Sequence, residues 1–275
     1  MPARNEEGCI ATTLERFTGV LAANGIEFEI VVVDDGSTDA TADLLAAISA
    51  RHSEVVRVTN TGRHGFGMAI RCGLARITGD AVAIVMADGS DSPEDLLKYY
   101  DKLREGYDCV FGSRFIRGGR VVDYPRHKLL LNRMANSFIR VLFRLNFNDI
   151  TNAFKCYRSE VIRGMQPLIS PHFNLTVEMP LKALVRGYSY AVVPITWTNR
   201  ASGVSKLKIK EMGSRYLFIV LYLWLEKHLS RGDYHRNVVA PANERAPHIN
   251  ASNGPDHRGR IRLDPVSPPD VRSDV

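Results

Sequence analysis

The sequence predicts an α/β protein with a mainly parallel sheet and helices on both faces. Continuous apolar runs, too uniform to leave a polar face, alternate with segments whose apolar positions recur at helical spacing. Each apolar run closes on polar turn residues, as buried strands do before crossing through a helix to a parallel neighbour. At 275 residues, 45% hydrophobic and 24% charged, the chain is long enough to bury one large core.

Taken in order, "FEIVVVDDGS" reads as a strand buried on both faces, and "DATADLLAAISARH" as a helix with Asp39 at its N-cap. "EVVRVTN" is a short strand, and "GFGMAIRCGLARIT" a helix opening after glycines. "DAVAIVMAD" is a third strand. "SPEDLLKYYDKLREG" is a helix with Ser92 as N-cap, Pro93 at its first position and a stop at Gly106. "YDCVFGSRF" is a strand, "RHKLLLNRMANSFIRVLFRL" a basic amphipathic helix, "NLTVEMPLKALVRGY" another helix and "YAVVPITWTNR" a strand. Residues 1–208 are expected to form the catalytic domain, 209–231 an amphipathic helix at a membrane interface, and 232–275 a disordered tail poor in apolar residues. The run "YLFIVLYLWL" is too short to span a bilayer, which needs about 20 residues. "PARNEE" reads as the loop after a first strand, yet only Met1 precedes it. The first strand of a doubly wound sheet is central, so the expectation is that it is missing and that the true start lies upstream.

The net charge of +6 suits an anionic partner. The four cysteines, Cys9, Cys72, Cys109 and Cys156, have no metal-ligand spacing and read as reduced thiols of a cytoplasmic protein. No nucleic-acid motif or aromatic–basic interleaving is present. The polar motifs collect at strand ends, where an open α/β sheet binds ligands. Asp34 and Asp35 end one strand, Asp88 follows another, and "GSRFIRGG" follows a third. Asp35 before Gly-Ser-Thr-Asp suits a nucleoside, although a capping turn explains it equally well. Asp88 suits Mg²⁺ or Mn²⁺, which take one or two carboxylates and fill their shell with phosphate oxygens and water. Asp91 is the second candidate ligand, while Glu94 lies where a helix dipole favours an acid anyway.

Together "PARNEE", "VVVDDGSTDAT", "MADGSDSPEDL", "FGSRFIRGG" and "VPITWTNRASGVSKL" resemble the family-2 glycosyltransferases, in order and over roughly residues 1–230. The closest resemblance is to the polyprenyl-phosphate sugar transferases, the group that includes dolichol-phosphate mannose synthase. The resemblance implies a glycosyltransferase-A (Rossmann-like) fold, a divalent metal and inversion at the anomeric carbon. It implies a hexose donor, GDP-mannose first and UDP-glucose next, with a polyprenyl phosphate as acceptor at the cytoplasmic face of a membrane. By resemblance, Pro2, Ala3, Asn5, Glu6 and Asp35 belong to the donor site, as do Arg200, Ser205 and Lys206 in a loop over the diphosphate. Asp88 matches the second acid of the family's Asp-Ala-Asp metal motif, with Met86 where the first acid stands. A thioether is a poor ligand for a hard cation. Arg114 and Arg117 fall where the family binds the acceptor phosphate, with Lys128 near a further basic position. His172 and Glu178 are candidates on the acceptor side, with a core or capping role as the alternative. Two other readings stay open: a family-2 enzyme with a soluble or glycan acceptor, and a catalytically silent nucleotide-sugar-binding subunit, which Met86 and the missing strand suggest.

Overall fold

Strand and helix alternate as the apolar pattern requires. The computed structural model describes residues 1–199 and 209–236 (of 209–212, the backbone alone). A short β1 (Pro2–Ala3) leads to α1 (Ile10–Ala23), β2 (Ile30–Asp34), α2 (Thr41–Ser49), β3 (Val55–Thr59) and α3 (Phe66–Leu74). There follow β4 (Ala81–Ile84), α4 (Pro93–Arg104), β5 (Cys109–Ser113), β6 (Arg120–Val122) and α5 (Arg126–Phe143). The order closes with β7 (Lys155–Arg158), α6 (Ser159–Gly164), α7 (Leu175–Val185), β8 (Tyr190–Pro194), β9 (Thr196–Thr198) and α8 (Ile209–Leu229). α4 illustrates how local chemistry sets an element. Pro93 opens it, Glu94 and Asp95 occupy its positive end, and Lys102 and Arg104 its negative end. In α2 the cap shifts by one residue: Ala40 is the N-cap, and Asp39 instead accepts the Thr41 N–H at 3.0 Å.

β1, β2 and β3 form a parallel sheet, with Ile30 opposite Val55 and Asp34 opposite Thr59. β4, β7, β5 and β8 form a second sheet in that order. β5 and β8 are parallel, but β7 is antiparallel to both its neighbours, so this sheet is mixed. The sequence pattern missed β7 because it is short and carries Lys155 in a position that reads as surface. β6 and β9 form a separate parallel pair, with Val121 opposite Trp197.

The expected loss of the first strand is corrected in part. β1 keeps a two-residue ladder, Pro2 opposite Val33 and Ala3 opposite Asp34. The ladder is enough to anchor the loop that follows it. At the other end, the chain keeps its contacts past the expected start of the tail. Arg236 reaches Asp108 at 2.7 Å, and the Arg186 guanidinium lies 5.4 Å from the Tyr234 ring centre. Residues 237–275 of the expected tail lie outside the described residues.

The main core packs α5, α6, α7 and α8 against β5 and β7 through Phe111, Phe143, Tyr157, Met179 and Leu223. No helix among the described residues is long and apolar enough to cross a membrane. Gly112 in β5 shows how closely the sheet is covered: a Cβ there would collide with the Tyr99 hydroxyl and come within 2.8 Å of Ile195. Gly112→Ala should therefore destabilise the protein by about 1–3 kcal/mol in denaturant unfolding, as overpacking does. An unchanged midpoint would mean that Tyr99 yields freely.

Candidate active site

The carboxyl ends of the strands share one edge. Thr13, in the first turn of α1, donates to the Ala87 carbonyl at 3.2 Å, so the loops after β1 and β4 meet. The Asp35 N–H donates to the Ala3 carbonyl at 2.9 Å and brings the end of β2 beside them.

The loop after β1 is zipped to the loop after β2. Asn5, held at φ 51°, accepts from the Thr38 N–H at 2.7 Å, and its own N–H donates to the Ser37 hydroxyl. The Glu6 N–H donates to Thr41 Oγ1, and Glu7 accepts from the Ala40 N–H. Pro2 and Ala3 are buried in β1. Asp35 is also buried, and its carboxylate has three partners: Asn60 donates at 2.6 Å, the Gly65 N–H donates at 2.8 Å, and His64 Nδ1 lies at 3.2 Å. Gly36 permits this arrangement. Its φ is 73°, and a Cβ would meet the His64 ring at 2.7 Å. Asn60 and His64 were not expected, and their only signal is a polar cluster after β3.

The acidic loop after β4 divides its carboxylates between two tasks. Asp88 accepts from the Ser90 N–H at 3.1 Å and stands at the sheet edge. Asp91 is 2% exposed and accepts from the Met86 N–H at 2.9 Å. Burial pushes the Asp91 carboxyl up to about 7, and the nearby charges of Asp88 and Asp95 add to the rise against the Met86 hydrogen bond and Arg114. Asp91 thus latches the loop. The Asp95 carboxylate accepts from the Thr196 N–H at 2.7 Å, tying the first turn of α4 to β9. Among the described residues no group of three His, Cys, Asp or Glu side chains is placed to hold a metal. Asp88 and Asp91, the two acids that the sequence offers to a hard dication, lie in this one loop, and phosphate oxygens and water would complete the shell of such a cation.

Arg114 is 7% exposed and makes a bidentate pair with Asp149, Nε to Oδ2 at 2.8 Å and Nη2 to Oδ1 at 2.7 Å. Its backbone N–H donates to the same carboxylate at 3.0 Å. Burial works against the Arg114 charge, but Asp149 outweighs it and holds the guanidinium above its ordinary range. Phe115, Tyr124 and Trp197 ring it at 5.1, 5.8 and 6.0 Å. Arg133 packs on Phe115 at 4.4 Å, and its Nη1 is buried with no hydrogen-bond partner. Behind them the Lys155 ammonium donates to the carbonyls of Ile150 and Asn152, and burial brings its pKa down to about 7. Arg117 is exposed and Lys128 half-buried. Asp149 and Lys155 were missed, their signal an acid and a lysine among the aromatic and aliphatic residues of "FNDITNAFKCY", and Arg133 was expected only as part of a basic helix face. Glu178 is wholly buried and clamps the loop before α7, accepting from the Ile169 and Ser170 N–H groups and from Lys182. His172 lies in that loop against Gly65. Arg200, Ser205 and Lys206 lie outside the described residues.

Known proteins are similar to this chain. The family model described as Glycosyl transferase family 2 matches residues 1–165. The chain is 34% identical to a polyprenol monophosphomannose synthase of Mycolicibacterium smegmatis, over 66% of this chain and 71% of that protein. It is 31% identical to an undecaprenyl-phosphate mannosyltransferase of Micrococcus luteus, over 75% of this chain and 85% of that one. A solved structure of glucosyl-3-phosphoglycerate synthase from Mycobacterium tuberculosis, in complex with Mn²⁺ and UDP-glucose, shares the fold. Its TM-score is 0.59 at 20% identity, covering 82% of this chain and 76% of that one.

Two outcomes follow from the buried charges. Asp149→Ala strands the Arg114 guanidinium and should cost about 3–5 kcal/mol in urea unfolding; a loss below about 1 kcal/mol would show that the pair does not hold this edge. Asp91 is raised in the folded state, so as pH climbs from its unfolded value of 3.8 toward about 7 the unfolded chain gives up its proton first and folding loses stability. In chelator-treated protein, Asp91→Asn should therefore gain stability relative to the parent across that interval. A pH-independent difference would contradict the burial of a protonated Asp91.

Proposed function

Because the chain belongs to glycosyltransferase family 2, we propose that it moves a hexose, mannose first, from a nucleoside diphosphate sugar to a polyprenyl phosphate with inversion. The observation that carries this reading is that the acidic loop after β4, which holds Asp88, is joined to the basic, aromatic cluster around Arg114 by the Asp91–Trp197 bridge and by the Thr198 N–H donating to the Ser90 carbonyl at 3.2 Å. The names of the two mannosyltransferase relatives supply the class of acceptor and the sugar.

The chemistry asks little of a general base. A phosphate monoester is anionic near pH 7, and its oxygen attacks the anomeric carbon as the bond to the diphosphate breaks. What the protein supplies is alignment and fixed positive charge. The zipped loops at Asn5 and Ser37, with Asp35, hold the nucleoside. Asp88 is the proposed ligand of Mg²⁺ or Mn²⁺, which when bound neutralises charge on the departing diphosphate. With Asp91 turned to the Met86 N–H, it supports the loop that presents Asp88. Arg114, Arg117, Lys128 and Arg133 receive the acceptor phosphate. Asp149 takes two of the Arg114 nitrogens and leaves Nη1 for an anion. In this reading Arg200, Ser205 and Lys206 serve the diphosphate.

A lipid acceptor also requires a wet–dry boundary. α5 exposes Leu130, Leu131, Met134, Phe138 and Val141, and α8 exposes Leu217, Phe218, Leu221, Leu225 and Leu229. These apolar faces, flanked by Arg126, Lys128, Arg140 and Lys227, suit helices lying in the interface of an anionic membrane. The proposed location is the cytoplasmic membrane face.

Labelled sugar offered as GDP-mannose or UDP-glucose, with polyprenyl phosphate and Mn²⁺ or Mg²⁺, should pass into an organic-extractable product. Transfer to a soluble sugar with none to lipid phosphate would overturn the acceptor. Asp88→Ala should lower kcat by at least about 100-fold in folded protein, and Arg117→Ala should raise the acceptor KM more than the donor KM. Phe218→Asp with Val141→Asp should abolish sedimentation with anionic vesicles while the circular dichroism spectrum stays unchanged; retained binding would place the membrane face elsewhere.

A further inference from the structure

α3 takes its cap from a distant part of the chain. Its N-cap residue, Gly65, brings no side chain to the task. Every helix opens on backbone donors that its own turns leave unpaired. Here two of them leave α3 in different directions. The Gly65 N–H donates to Asp35 Oδ2 at 2.8 Å, and the Met68 N–H donates to the Pro171 carbonyl at 3.3 Å. Pro171 belongs to the loop that precedes α7. That loop lies against α3 backbone to backbone. A Cβ at Gly65 would come within 2.6 Å of the Pro171 carbonyl oxygen, and one at Gly67 would collide with the Ser170 carbonyl oxygen. The Phe66 and Phe173 rings stack beside the contact, 4.2 Å between centres. The sequence "GFG" thus has a physical reason: two glycines admit the loop, and the phenylalanine between them grips it.

Glu178 holds the loop in that place. Its wholly buried carboxylate accepts from the Ile169 N–H at 2.8 Å and from the Ser170 N–H at 2.7 Å, with the Lys182 ammonium at 2.9 Å as counter-ion. Tyr216 of α8 donates to the Phe173 carbonyl at 3.3 Å and grips the other end. The loop needs such outside bonds. Among the described residues, Ser170 Oγ and Asn174 Oδ1 are buried with no hydrogen-bond partner, a cost that the charge-assisted bonds to Glu178 offset.

We propose that Glu178 is a positioning residue of the donor pocket. Acting through the loop from Ile169 to Phe173, it caps α3 and fixes the Gly65 N–H against the Asp35 carboxylate. This rests on the reading of Asp35 as the partner of the nucleoside. It moves Glu178 from the acceptor side, where the resemblance placed it, to the donor side. Without the clamp the loop is free to leave α3, the first turn loses its cap, and Asp35 loses a donor that orients it.

Three variants of the full chain reach this contact from different sides. Glu178→Gln with Lys182→Met weakens the clamp and removes both charges together, so neither ion is stranded. Gly67→Ala keeps the clamp but sets a methyl group against the Ser170 carbonyl. Phe173→Leu only loosens the stack and should give the same pattern at smaller size. The first two should speed deuterium exchange at the Gly65 and Met68 amides and weaken GDP or UDP binding by about 10-fold or more. In the transfer assay the donor KM should rise while the acceptor KM stays unchanged, a split that a general loss of folding does not produce. A raised acceptor KM with unchanged nucleotide affinity would overturn the proposal and return Glu178 to the acceptor side. If the parent chain binds GDP or UDP and the variants bind it equally, this inference alone falls. If the parent binds neither, the donor reading falls and takes the inference with it.

Discussion

The Arg114–Asp149 pair holds together much of what surrounds the candidate site. Asp149 is wholly buried and accepts three hydrogen bonds from Arg114, one from the backbone and two from the guanidinium. The pair thereby joins the end of β5 to the loop after α5. A cation removed from water is costly unless its partner is close and bidentate. Here both conditions hold, and three aromatic rings cover the exposed face of the ion. β6, β9 and the start of α5 gather around this centre through Tyr124 and Trp197, whose rings lie 4.9 Å apart.

The same economy of buried charge runs beneath the acidic loop. Burial raises the Asp91 carboxyl to about 7 and lowers the Lys155 ammonium to about 7, so both groups beneath the catalytic edge hold their charge less readily than in water. That separates two acids three positions apart. Asp88 accepts from the Ser90 N–H, while Asp91 accepts from the Met86 N–H. Met86 contributes its backbone N–H to the latch, so the loop keeps its shape without an acid at that position.

The apolar helices extend the argument from the site to its surroundings. α8 buries Ile219, Val220 and Leu223 in the core and exposes Leu217, Phe218, Leu221 and Leu225 on its other side. Apolar residues therefore lie on both sides of its central turns. Its exposed side is the one that the proposed membrane interface would cover.

By itself the sequence determined the alternation of strands and helices, the strand-end positions of Asp34, Asp35 and Asp88, and the family, because apolar periodicity and short motifs are local properties. Tertiary structure alone decided that β7 inserts antiparallel between β4 and β5, that two residues suffice for a β1 ladder, and that Glu178 clamps a loop. It alone paired Asp149 with Arg114 across 35 positions of sequence and placed His64 against Asp35. Those outcomes depend on which polar groups lose water together. Desolvation is a property of the packed chain, and no spacing along "FNDITNAFK" records it.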